Sequence, residues 1–121
     1  MAIFGELSKP TDGVELARLI ARSLGREPLH VAAPDARPIR RIGWCTGAAQ
    51  KYIAAAADSG LDAYLSGEAS EQTFHAAREM NIHFFAAGHH ATERYGVIAL
   101  GEHLADKFML QHRSIEIANP I

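Results

Sequence analysis

The stretch "GAAQKYIAAAADSGLDAYLSGEASEQTFHAAREMNIHFFAAGHHATERYG", residues 47–96, decides the fold. It alternates two kinds of segment. Residues 47–60 are alanine-rich and close on Gly60, which reads as a helix with a glycine stop. Residues 61–67, "LDAYLSG", are a short apolar run of strand length. Residues 69–81 read as a second helix, with Ser70 as its N-cap. Residues 82–88, "IHFFAAG", are another strand. Strand and helix in alternation predict βαβ units and a mostly parallel sheet with helices on both faces.

Working outward, "IRRIGWCT" (39–46) is predicted as a strand and "PDARP" before it as a turn. "LHVAA" (29–33) is predicted as a strand. Residues 9–25 carry Val14, Ala17, Ile20 and Leu24 on one helical face and stop at Gly25, with Thr11 as the expected N-cap. Residues 2–7 suggest a first strand. On the other side, residues 97–110 place Val97, Leu100, Leu104 and Phe108 on one face, which predicts a core-facing helix. Gly101 weakens it, since a mid-helix glycine costs roughly 1 kcal/mol relative to alanine. "SIEIAN" (114–119) is expected to form a last strand. The whole of 1–121 reads as one α/β domain, with residues 1–38 a connector or edge element of something larger.

Bulk properties narrow the function classes. The 121 residues are 48% hydrophobic and 21% charged, with a formal net charge of −2. No basic footprint marks a nucleic-acid or anionic-membrane partner. The apolar runs are too short to span a bilayer, and the opening lacks the pattern of a secretory signal. The single cysteine, Cys45, cannot form an internal disulfide. These features predict a cytoplasmic chain.

In open α/β sheets, ligands bind beyond the carboxyl ends of the strands. Three such ends are predicted here: Cys45-Thr46-Gly47, Ser66-Gly67-Glu68, and Gly88-His89-His90 followed by Glu93. If a helix begins near His89, then His89 and Glu93 lie on one face, one turn apart. An imidazole with a carboxylate suits zinc, manganese or ferrous iron. Glu68 is a third ligand, a second acceptor that orients the imidazole, or a proton-handling catalytic group. His90 points to another face. It joins Thr46, Gly47 and Gly67 as a candidate for the substrate rim.

Plainer readings stand beside these. Glu93 equally fits a charge complementing a helix dipole. Glu68 equally fits an acidic residue ahead of the next helix. Ser66 and Thr46 are more often caps than nucleophiles, and no base is fixed beside Ser66 by spacing. "GWCTGAAQ" lacks the Gly-Lys-Ser/Thr of a phosphate-binding loop. Cys45, following Trp44 in a predicted strand, reads as packed. Five further histidines (His30, His75, His83, His103 and His112) are scattered along the chain and read individually as surface or hydrogen-bonded residues.

The motifs "LSGE" (65–68), "AGHHATER" (87–94) and "EIANP" (116–120) together resemble the C-terminal half of the Nif-three-like family, also labelled type 2 GTP cyclohydrolase I homologues. The resemblance runs from about Phe4 to Pro120. It implies an α/β protein with a dinuclear metal centre, assembled as a ring-shaped hexamer. By the family's Gly-His-x-x-x-Glu motif, His89 and Glu93 are metal ligands. The resemblance also implies a second ligand set, a His-His-Pro motif and a later Asp, from an N-terminal half that this sequence does not match. His89-His90 is followed by Ala91. The expectation is therefore an incomplete divalent-metal site, an inactive isolated chain, and a missing half as the natural partner. When complete, the protein would be a metal-dependent hydrolase of the cyclohydrolase or phosphate-ester type. The alternative is a non-catalytic metal-binding assembly or interaction module.

Overall fold

The computed structural model describes residues 3–120. The predicted first strand begins at Ala2, one residue outside the described range. Five strands form one sheet: β1 (Ile3–Thr11), β2 (Leu29–Val31), β3 (Ile39–Cys45), β4 (Ala63–Ser66) and β5 (His83–Ala86). Four helices accompany them: α1 (Gly13–Leu24), α2 (Ile53–Asp58), α3 (Glu71–Glu79) and α4 (His89–Phe108). The strand order is β1-β3-β4-β5-β2. The three central strands are parallel, and the short β2 and the long β1 pair antiparallel at the two edges.

The α/β class follows from two apolar faces. On one, Ile53 and Ala56 of α2 and Ala77 of α3 pack on Tyr64 and Phe84. On the other, Leu16 and Ile20 of α1 pack on Ile39, Ala63 and Phe85. Successive residues Phe84 and Phe85 serve opposite faces, as strand alternation requires. Both are fully buried. Residues 3–38 supply both edge strands and α1.

Several boundaries differ from expectation, each for a local reason. The N-cap of α1 is Asp12, whose side chain accepts from the Glu15 amide at 2.8 Å. Thr11 instead pairs with Ile39 at the end of β1, across a register shift after Glu6. Lys9 and Pro10 therefore remain in the strand, and an edge position tolerates the proline's missing N–H. The alanine-rich segment becomes helical late, through a 3-10 turn at Gln50–Tyr52, because the chain first turns at Gly47 (φ 64°). Ser70 caps α3 as expected, reciprocally with Thr73.

The C-terminal quarter departs most. α4 is continuous from His89, but its apolar stripe is not in the core: Val97 is 71% exposed, and Leu100, Leu104 and Phe108 are exposed too. Residues 110–120 form no strand. They fold back along α4, where Glu116 accepts from Arg94 at 2.7 Å and lies 3.1 Å from His90. Gly101 makes room for this return. A Cβ there would stand 2.6 Å from Cδ2 of the His112 ring.

Candidate metal centre

Parallel pairing sets Cys45, Ser66 and Ala86 side by side, so the chain leaves β3, β4 and β5 at one level. The segments beyond are stitched together. The Gly67 amide donates to Gly47 O (3.0 Å), and the Gly88 amide donates to Gly67 O (2.9 Å). Ser66 Oγ donates to Gly47 O at 3.1 Å and accepts from the Ala49 amide at 3.2 Å. Thr92, buried in the first turn of α4, accepts from the Gly47 amide at 3.1 Å and donates to Gly88 O at 2.9 Å. A Cβ on Gly67 would stand 2.8 Å from Gly47 O and 2.9 Å from the His89 Cα, so only glycine lets these backbones meet.

This frame fixes three side chains. His89 opens α4, and Glu93 follows one turn later on the same face. Glu68 comes from the end of β4. Glu68 Oε1 lies 2.6 Å from His89 Nδ1, and Glu93 Oε2 lies 3.1 Å from His89 Nε2. The two carboxylates thus flank opposite edges of one imidazole. The hydrogen bond to Glu68, followed by the field of Glu93, raises the His89 pKa above its ordinary 6.5. The site is open to water, with the His89 side chain 38% exposed.

The predicted rim residues separate. Gly47 is at the centre: a Cβ there would stand 3.2 Å from His89 Nε2 and run into the Glu93 carboxylate. Gly67 forms the floor. Thr46 is exposed and faces another groove, lined by Leu19, Ile42, Trp44 and Leu65 on the α1 side. His90 turns toward Glu116, yet it shares with His89 and Glu93 a cavity of about 420 Å³ walled by Ser114, Ile115 and Asn119. Glu68 sits on the Nδ1 edge and so does not converge with Glu93 on one point. Among the described residues, no group of three His, Cys, Asp or Glu side chains gathers as a metal cage.

Sequence reasoning overlooked Thr92, Arg94 and Glu116. A threonine four residues after a strand-end glycine is a findable signal for Thr92, since its hydroxyl can reach back to the i−4 carbonyl. Nothing in the spacing links Glu116 to residues 90 and 94. Two of the scattered histidines meet far from this rim. His30 Nε2 lies 3.0 Å from His83 Nδ1, and His83 Nε2 lies 3.0 Å from Arg37 O.

The architecture is that of an α/β chain with a histidine–carboxylate cluster at the carboxyl rim of its parallel strands. The chain belongs to the Duf34/NIF3 (NGG1p interacting factor 3) family, whose model matches residues 1–120. It is 54% identical over 120 residues to a "GTP cyclohydrolase 1 type 2 homolog" of Pseudomonas aeruginosa, covering 99% of this chain and 47% of that protein. A Vibrio cholerae protein of the same description is 52% identical over 122 residues, covering 100% and 48%. A solved structure described as protein ybgI, of unknown function, superposes with a TM-score of 0.92 at 48% identity, covering 99% of this chain and 49% of that one. A Bacillus cereus protein related to NIF3 shares the fold at 22% identity, with a TM-score of 0.81 and coverage of 98% and 34%. The chain spans about half the length of the curated relatives it matches.

Proposed function

We propose that His89 and Glu93 are this chain's ligands to a divalent metal ion (zinc, manganese or iron) in a site completed by groups from outside these 121 residues. One observation carries the reading. Glu68 Oε1 lies 2.6 Å from His89 Nδ1 and Glu93 Oε2 lies 3.1 Å from Nε2, so a neutral ring that donates Nδ1–H to Glu68 would present its Nε2 lone pair beside the Glu93 carboxylate. In that state a nitrogen and a carboxylate oxygen, one helical turn apart, stand together as donors for a cation, which would take the place of the proton that the raised pKa otherwise holds on the ring. A carboxylate on the far nitrogen of a ligating histidine is also the usual means of fixing tautomer and ring orientation. Glu68 is thus a positioning residue rather than a ligand.

Two protein groups leave an ion mostly hydrated, and a dinuclear centre needs several carboxylates and imidazoles to offset ion–ion repulsion at about 3.5–4 Å. The missing donors come from the other half of a family-length protein or from another subunit of a ring assembly. The complete protein is a hydrolase-like enzyme. When bound, the ions supply Lewis acidity and lower the pKa of water. His89 and Glu93 hold the ion, Gly47 and Gly67 keep the rim open, and the tail at 114–119 walls the space in which substrate sits. Equilibrium dialysis against manganese or zinc tests this. Weak uptake that is lost in both His89→Ala and Glu93→Ala supports it, and uptake indifferent to both changes refutes it.

A second reading, a non-catalytic assembly module, is favoured by the uncovered apolar stripe of α4. An exposed apolar face of this kind marks an interaction surface. Phosphate-ester and nucleoside-triphosphate hydrolysis by the assembled protein, with and without His89→Ala, separates the two readings.

A further inference from the structure

Residues 114–119 have the alternation of a strand, yet they join no strand of the sheet and lie along α4. Their isoleucines bury little: Ile115 is 77% exposed and Ile117 75%. Apolar packing therefore does not hold this part of the tail. A carboxylate does. Glu116 Oε1 accepts from Arg94 Nη1 at 2.7 Å and lies 3.1 Å from His90 Nε2. Two side chains from the first two turns of α4 thus converge on one oxygen.

The place of that convergence is specific. His90, Arg94 and Glu116 line the same cavity of about 420 Å³ as His89 and Glu93. Solvent reaches all three, with side chains 34%, 24% and 49% exposed. Arg94 is held in position independently of Glu116. Its Nη2 donates to Leu24 O, at the end of α1, at 2.7 Å, and its guanidinium lies 5.2 Å from the centroid of the Tyr95 ring. Nη1 is the nitrogen that meets Glu116. The seated carboxylate shows that this spot holds an anion even with Glu93 in the same cavity.

We propose that Arg94 and His90 form a phosphate-binding subsite beside the metal position, and that Glu116 is its built-in, removable occupant. Guanidinium pairs with phosphate oxygens as it does with carboxylate. A free monocarboxylate would only equal Glu116, which has the advantage of its tether: a short linker holds a group at an effective concentration on the order of millimolar. A phosphate monoester carries about −1.5 to −2 at neutral pH, and so competes where a carboxylate does not. Its entry displaces Glu116 and frees the tail from α4, so that binding and opening of the cavity wall are one event. That the phosphate belongs to a substrate acted on at His89 and Glu93 rests on the metal reading, but the exchange of Glu116 for phosphate does not.

The test compares the 121-residue chain with Glu116→Gln, both isotope-labelled, in a titration with inorganic phosphate at constant ionic strength and with a chelator present. NMR shifts of His90 and Arg94 report binding, and the nitrogen relaxation of residues 115–117 reports the tail. In the parent chain, residues 115–117 should relax as α4 does and become mobile as phosphate saturates. In Glu116→Gln they should be mobile from the outset. Phosphate should bind that variant roughly tenfold more tightly, since a site closed about nine-tenths of the time weakens apparent affinity by that factor. Acetate should leave the parent's tail in place. Equal phosphate affinity in the two chains, a tail already mobile in the parent or still ordered at saturation, or shifts centred away from His90 and Arg94 overturns the proposal; the last marks an adventitious ion only. Because the chelator removes metal, phosphate exchange can fail while manganese uptake at His89 persists, or the reverse, so the two ideas fail separately.

Discussion

His89 and Glu68 are joined across two strand ends by a 2.6 Å hydrogen bond at Nδ1. They lie 21 residues apart in sequence and meet because β4 and β5 run parallel and in register. The bond favours a proton on Nδ1, and Nε2 is the nitrogen that faces Glu93. It is also the first cause of the raised His89 pKa. Glu68→Gln removes the charge and keeps the shape. The variant is expected to titrate His89 at lower pH than the parent chain, by NMR of the imidazole carbons. An unchanged titration would mean that Glu68 does not set the ring's state.

Thr92 bridges two rim segments, accepting from Gly47 N and donating to Gly88 O. Thr92→Val keeps the volume and leaves the buried Gly47 amide without its partner. Such a loss costs about 1–3 kcal/mol. Urea unfolding should show that drop in stability, and the Gly47 amide should exchange faster with solvent. A variant as stable as the parent would show that Gly67 and Ser66 alone hold the Gly47 turn.

The pair His30–His83 makes stability sensitive to acid. Burial first, then the neighbouring His83, lower the His30 pKa below 6.5, while Asp12 opposes the shift. His30 stacks on Phe85 with ring centroids 4.4 Å apart, and a Cβ on Gly13 would stand 2.7 Å from its Nε2. The unfolded chain therefore binds the proton more readily than the folded one. The contribution is fully present above pH 6.5 and is lost as pH falls from there toward the depressed folded value. Urea midpoints should fall between pH 7.5 and pH 5.5, and His30→Gln should flatten that slope. An equally steep slope in the variant would place the acid sensitivity elsewhere.

Much of this architecture is legible in the sequence, and the losses share a cause. The glycine-terminated strand ends at residues 47, 67 and 88 announce three parallel strands joined by two crossovers, and register then brings the three ends to one rim. The spacing of His89 and Glu93 is local, so their shared face is readable. The covering of α4 is not. A stripe at Val97, Leu100, Leu104 and Phe108 says that one face is apolar, but not what lies over it. The Glu116 contacts with His90 and Arg94 span 26 and 22 residues of irregular chain, which no periodicity encodes. Thr11 and Asp12 are both good caps, and the choice between them was made by strand pairing at Ile39.

The most direct test of the metal assignment uses manganese as a paramagnetic probe on isotope-labelled chain, with His89→Ala and Glu93→Ala as controls. The account predicts line broadening centred on His89 and Glu93, weak and far from stoichiometric in the isolated chain, and abolished in either variant. Broadening centred elsewhere, or tight one-to-one binding by the monomeric chain, would contradict it.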